Sequence, residues 1–216
     1  TLSGDPEVRV SGVSLNSNTV EENELFAALP GRTAHGIVFV SQAITRGASA
    51  ILTDSAGVKW LDQSDLHIEL PVLLVSDPRA SLGSVCKLVY ADPACGMILL
   101  GVTGTNGKST TSSMIYQAAR AVGIRAGLIG TLATAIDGEE VGSVRTTPEA
   151  PDLFRTIARM KNGGVKLIVM EVSSIALSEH RVNGVEFDCV GFTNLSHDHL
   201  DYHDSMVEYF SAKSQL

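Results

Sequence analysis

Aromatic residues are scarce in this 216-residue chain, with Phe, Tyr and Trp making up 5% of it. Single-stranded nucleic acids are held on rows of stacking rings, so a broad surface of that kind is excluded. Positive charge is also short, with 16 Lys and Arg against 24 Asp and Glu and a net charge of −8. That balance argues against DNA or an anionic membrane as a partner, and any phosphate site must concentrate its positive potential locally. The three cysteines, Cys86, Cys95 and Cys189, are odd in number and lack metal-ligand spacing. They read as reduced thiols of a cytoplasmic protein. No apolar run reaches the length of a membrane span, and the start lacks the basic and apolar regions of a signal peptide. What remains is 44% hydrophobic and 19% charged, a soluble globular composition with enough residues for one large domain or two smaller ones. A start at Thr1 without Met and an end at Leu216 inside a helical pattern lead us to expect a fragment.

Short apolar stretches at residues 8–10, 12–15, 24–29, 50–53 and 72–75 read as strands. Residues 39–46 read as a helix closed by Gly47, and 79–90 as a helix opened by Asp77 and Pro78. Ala91, Asp92 and Pro93 break that helix and mark a boundary between domains 1–92 and 93–216. Beyond it the pattern is βαβ. Residues 97–102 form a continuous apolar strand, and a helix follows over 108–122. An extended segment spans 126–136 before a turn at Asp137 and Gly138. Helix 152–161, buried strands 166–172 and 188–193, and helix 205–216 complete the series. The expected fold is α/β: a small α/β domain, then part of a mostly parallel P-loop sheet with helices on both faces. Ligands on such sheets sit at the carboxyl ends of the strands.

The strand-to-helix junction reads GVTGTNGKS over residues 101–109. It departs from G-x-x-x-x-G-K-[ST] by one extra residue after Gly101, giving a variant loop. Its glycines let backbone N–H groups converge on phosphate oxygens, and the helix N-terminus adds its dipole. Gly104, Thr105, Asn106, Gly107, Lys108, Ser109 and Thr110 are therefore the candidate ATP contacts. Lys108 would face the β- and γ-phosphates, and the Ser109 hydroxyl would bind Mg²⁺. The plain alternative is a Gly-rich turn.

The stretch TGTNGKSTT (103–111) resembles the ATP loop of the Mur ligase family and of its relative folylpolyglutamate synthase. Further stretches match in order: TTPEA (146–150), MEVSS (170–174), His180-Arg181, TNLSHDHLDYH (193–203) and YFSAK (209–213). Within the family the resemblance is closest to the MurE branch, which adds the third peptide residue to UDP-MurNAc-L-Ala-D-Glu. GVSLNS (12–17), ELFAALPG (24–31), His35-Gly36 and Asp54 extend it into a domain that binds the nucleotide sugar.

The resemblance implies an ATP-dependent amide ligase of cytoplasmic peptidoglycan synthesis, binding no nucleic acid, without a membrane span and monomeric. ATP would phosphorylate the substrate carboxylate, and the amine of a diamino acid, meso-diaminopimelate or L-lysine, would displace phosphate. Lys108, Glu171, His199 and Lys213 would be its catalytic residues. Ser109 and Glu171 would hold Mg²⁺, His199 a second Mg²⁺, and Lys213 would join the metal site once carbamylated. Leu15, Ser17, Arg32, Thr33 and Ala34 would contact the UDP-sugar, and Thr146, Thr147, Ser173, Glu179 and Arg181 the rest of the substrate. Each has a plainer reading: a surface Glu at a strand end, a structural His, an exposed helical Lys, ordinary strand or turn residues, a solvated Arg. Asn16, Asn18, Ile175, Glu179 and His197 depart from the family pattern, which usually shows Asp, Arg, His, Gln and Arg there. The missing C-terminal domain leads us to expect that the isolated fragment is inactive, and leaves the added amino acid open. Two further readings stay open: a folylpolyglutamate synthase-like ligase, disfavoured by the segment before Pro93, and a non-catalytic nucleotide-binding module.

Overall fold

The computed structural model of the chain describes residues 4–5, 7–31, 33–142 and 145–216. They divide into two compact units, Thr1–Ala91 and Asp92–Leu216.

In the first unit, strands β1 (Gly12–Ser14), β2 (Glu24–Ala27), β3 (Ala50–Thr53) and β4 (Val72–Leu74) lie side by side in chain order, all parallel. A 3-10 turn (Gly36–Phe39) leads into α1 (Val40–Thr45), and α2 (Ser55–Gln63) and α3 (Pro78–Val89) follow β3 and β4. Asp77 caps α3 by accepting from the Ala80 N–H, and Pro78 takes the first turn, where an amide hydrogen is not needed. Asp54 caps α2 through the Gly57 N–H, and the same Oδ1 lies 3.1 Å from Nε2 of His35. His35 Nδ1 in turn accepts from the Ile37 N–H and caps the 3-10 turn, so one side-chain pair ties two helix starts together. Phe26, Ala28, Ile37, Val40 and Ile51 form the centre of this unit's core.

Two expectations fail here. Residues 8–10 form no strand. Helix α2 was not anticipated; it meets the core through Val58, Trp60 and Leu61, all only partly buried.

The second unit holds β5 (Ile98–Thr103), α4 (Lys108–Ala121), β6 (Ala126–Ile129), β7 (Thr134–Ile136), β8 (Glu139–Glu140), α5 (Ala150–Asn162), β9 (Leu167–Glu171), α6 (Ser174–Ser178), β10 (Cys189–Phe192) and α7 (Met206–Lys213). Its sheet runs β10-β5-β9-β6-β7-β8. The first four strands are mutually parallel, and β7 and β8 turn back antiparallel. Strand alternation distributes the core. Ile168 and Met170 of β9 join Leu153, Ile157 and Met160 of α5, whereas Val169 joins Tyr116 and Ala119 of α4. Both faces are therefore covered.

The extended segment expected over 126–136 is a hairpin that reverses where the Gly130 N–H donates to the Ala133 carbonyl. The buried strand expected at 188–193 is instead an edge strand, and all four residues of β10 are exposed. Among the described residues β10 pairs on one side only, with β5.

Candidate functional site

The four parallel strands end together. Register places Glu171, the last residue of β9, opposite Val102 of β5, and Thr103 opposite Phe192 of β10. Ile129 pairs with Met170, which sets Gly130 and Thr131 beside Glu171. Everything that follows a strand end here is thus brought to one cleft.

The loop between β5 and α4 occupies that cleft. Gly104 and Gly107 have φ of +136° and +84°, values that a side chain would strain. Gly107 is the N-cap of α4, so the helix opens with backbone N–H groups turned to the cleft. Lys108 folds back over the loop, its Nζ donating to the carbonyls of Gly104 (3.0 Å) and Thr105 (2.9 Å). Burial lowers its pKa, with Glu171 and Asp198 pulling the other way.

A second strand-end segment pins the loop. The Thr105 N–H donates to the Asn194 carbonyl, and the Asn106 N–H to Asn194 Oδ1 at 3.0 Å. Thr193 Oγ1 and Asn194 Nδ2 both donate to the Asn106 carbonyl, at 2.7 and 2.9 Å. Thr105 Oγ1 accepts from the Ser196 N–H and lies 3.1 Å from the Tyr209 hydroxyl. The loop's shape therefore owes as much to residues 193–196 and α7 as to its own glycines.

Glu171 is 2% exposed. Its carboxylate accepts three bonds, all from neutral donors: Ser109 Oγ at 2.8 Å, the Thr131 N–H at 3.0 Å and Thr131 Oγ1 at 3.1 Å. A buried carboxylate is costly without a counter-charge, and Ser109 beside it is the hydroxyl expected to meet Mg²⁺. One hydroxyl and one carboxylate suit a hard cation that takes its remaining oxygens from phosphate and water. No cluster of three or more His, Cys, Asp or Glu suits a metal among the described residues. The donor set thus fits a cation that arrives with phosphate, not one caged by protein alone.

A cavity of about 300 Å³ joins these groups, lined by residues 105–110 together with Thr131, Thr146, Glu171, Ser173 and His199. His199 sits in the left-handed region with φ of +52°, and its Nε2 is 3.7 Å from Asp198. Of the residues expected to contact substrate, Thr146 and Ser173 line the cavity. Thr147 lies behind it, buried, donating to the Glu171 carbonyl and accepting from the Ser173 N–H. Ser173 also caps α6 through the Ala176 N–H. Arg181 pairs with Glu149 at 3.0 Å and is not a solvated charge. Glu179 accepts from the Tyr202 hydroxyl at 2.8 Å.

Lys213 corrects an expectation. The exposed helical lysine is in fact 2% exposed, with Nζ 4.5 Å from the Tyr209 ring centroid and donating to the Gly104 carbonyl at 2.8 Å. Burial first, and then the charge of Lys108, lowers its pKa to about 8 against a smaller opposing pull from Asp198. It braces the phosphate loop from below and is not among the cavity-lining residues.

In the first unit, the Ser17 hydroxyl is buried and donates to Gln42 Oε1 at 2.8 Å, and Gln42 Nε2 donates to Asn18 Oδ1 at 2.7 Å. Leu15 is half-buried, Thr33 and Ala34 are exposed, and Arg32 lies outside the described residues. Sequence reasoning missed Thr131, Asn194 and Tyr209. Asn194 and Tyr209 lay within stretches already singled out, whereas a lone Thr in a hairpin gave no signal.

Comparison with known proteins places this architecture. A profile described as "Mur ligase middle domain" matches residues 102–216, and "Mur ligase family, catalytic domain" matches residues 9–89. The UDP-N-acetylmuramoyl-L-alanyl-D-glutamate–2,6-diaminopimelate ligase of Corynebacterium glutamicum is 46% identical over 209 residues, covering 96% of this chain and 40% of that protein. The UDP-N-acetylmuramyl-tripeptide synthetase of Leifsonia xyli is 43% identical, over 97% of this chain and 40% of its own length. The chain thus spans about 40% of the length of these relatives. A solved structure of a UDP-N-acetylmuramoyl-L-alanyl-D-glutamate–2,6-diaminopimelate ligase superposes with a TM-score of 0.79 at 27% identity, over 95% of this chain and 40% of that one. The MurF ligase of Thermotoga maritima, solved with ADP, shares the fold at a TM-score of 0.62 and 17% identity, covering 96% of this chain and 42% of its own. The α/β fold with parallel sheets is that of these ligases, and since a single domain profile accounts for more than half of its residues, this chain belongs to the Mur ligase family.

Proposed function

We propose that the protein carries the nucleotide-sugar and ATP sites of a ligase that adds a diamino acid to UDP-MurNAc-L-Ala-D-Glu through an acyl-phosphate. The observation that supports this most directly is the meeting of Lys108, Ser109 and Glu171 at one strand-end cavity. The relatives named above act on such substrates by their names. On this reading the protein works as a monomer in the cytoplasm. No helix among the described residues is long and apolar enough to cross a membrane.

Phosphoryl transfer to a carboxylate chiefly needs positioning and charge neutralisation. The N–H groups of residues 107–109, at the start of α4, would cradle the phosphates. Lys108 exchanges its loop carbonyls for phosphate oxygens. Ser109 and Glu171 would hold Mg²⁺, which would supply charge neutralisation for the transferring phosphoryl group. Thr146 and Ser173 face the same cavity and orient the substrate carboxylate, while Arg181 stands behind them on Thr147 and Glu149. His199, which also lines the cavity, would contribute to a second cation. Carbamylation of Lys213 needs a neutral amine, and a pKa near 8 supplies one at mild pH.

Replacing Lys108 with Ala is expected to remove ATP binding in calorimetry, with an unchanged circular dichroism spectrum. Wild-type affinity in that variant would overturn the assignment of the loop. UDP-MurNAc-dipeptide titrated with and without Mg-ATP tests the substrate. Binding of nucleotide alone would instead indicate a nucleotide-binding module.

A further inference from the structure

One residue that no motif singled out grips both oxygens of the metal carboxylate. The Thr131 N–H donates to Glu171 Oε1 at 3.0 Å, and its hydroxyl lies 3.1 Å from Oε2. The same hydroxyl is 2.9 Å from Thr146 Oγ1. A threonine hydroxyl has one proton, and an ionised carboxylate only accepts. The Thr131 proton therefore goes to Glu171, and Thr146 must donate into Thr131. The direction of the chain is fixed: Thr146 to Thr131 to Glu171, with Ser109 donating from the other side.

The backbone around Thr131 is shaped for this contact. It follows Gly130 at the end of β6, where the hairpin reverses. A Cβ on Gly130 would lie 2.9 Å from Cδ of Glu171, closer than real side chains approach. The absent side chain at Gly130 lets the carboxylate lie flat against the hairpin, within reach of both Thr131 donors.

We propose that Thr131 is a positioning residue for the cation site and that its hydroxyl couples the substrate loop at Thr146 to the metal carboxylate of Glu171. This rests on the reading of Ser109 and Glu171 as the Mg²⁺ site. Thr131 also lines the cavity, and it acts on the cation through Glu171. It holds the plane of the carboxylate, so that Glu171 meets the cation without first being reoriented. Partners that orient a ligating carboxylate commonly change metal affinity or activity 10- to 100-fold when removed. Because linkage is reciprocal, whatever occupies Thr146 changes cation affinity, and cation binding changes the affinity for whatever occupies Thr146.

The test is calorimetric titration of the full chain with a non-hydrolysable ATP analogue, in EDTA and in MgCl₂. The gain in affinity caused by Mg²⁺ is the quantity read. Thr131→Val should cut that gain about tenfold while leaving the affinity in EDTA at the wild-type value, and Thr131→Ser should restore it. Thr146→Val should reduce the gain by less, and adding it to Thr131→Val should change nothing further. A wild-type Mg²⁺ gain in Thr131→Val overturns the inference, and so does an equal loss in EDTA, which would mark a merely structural role. If wild-type protein shows no Mg²⁺ gain, the reading of the cation site falls first and the inference with it.

Discussion

At the scale of the residue, the most telling side chain is Lys213, because its burial makes an acid–base prediction. The unfolded lysine titrates near 10.5 and the folded one near 8. Between these values the unfolded chain binds the extra proton, so stability must rise with pH. Below pH 8 both states are charged and the full penalty of the buried ammonium persists. Tyr209, whose pKa burial raises, works in the opposite sense towards the alkaline end, and the two lysine values set the window at pH 8 to 10. Urea denaturation across it should show the wild type gaining stability, with an upper limit on the order of 3 kcal/mol for the whole shift. Lys213→Met should lose most of that gain. Lys108, shifted in the same direction, leaves a remnant. A Met variant with an unaltered slope would show that the ammonium is hydrated. The residues legible in sequence were those whose chemistry demands a fixed spacing, Lys108 and Ser109 above all. Glu171 and His199 became candidates only through the family resemblance. Thr131 stayed hidden because its role comes from strand register, which no local pattern encodes.

At the scale of the element, α7 joins local capping to the distant loop. Ser205 caps it by accepting from the Glu208 N–H at 3.1 Å, and Tyr209 and Lys213 project from it to Thr105 and Gly104. Ser205→Ala should cost about 1 kcal/mol, read from chemical denaturation. It should also raise hydrogen exchange at the amides of Thr105 and Asn106. Unchanged exchange there would separate the helix from the loop. The parallel strands and the helix after the phosphate loop were readable because their apolar runs are long and bounded by turn residues. The errors have physical causes. Helix α2 is nine residues long and meets the core through only partly buried Val58, Trp60 and Leu61, a pattern too short to stand out. The hairpin at 126–136 is apolar through its bend, with Leu132 79% exposed there. Strand β10 has a core strand's composition but an edge strand's position.

At the scale of the whole molecule, two units each own a core, one centred on Phe26 and Ile51 and the other on α5, α4 and the six-stranded sheet. Expressed separately as 1–91 and 92–216, both pieces should unfold cooperatively in denaturant, with Mg-ATP binding confined to the second. A molten 92–216 piece would contradict this division. The bracing of the phosphate loop carries a temporal consequence as well. Its Gly104 carbonyl is met by a lysine 109 residues later, and its Asn106 by Asn194, 88 residues on. During synthesis the glycine turn leaves the ribosome long before either brace exists. A nascent chain stalled ahead of residue 193 should be blind to nucleotide, and one released past residue 213 should capture it, which makes ATP a reporter of when this half of the polypeptide closes on itself.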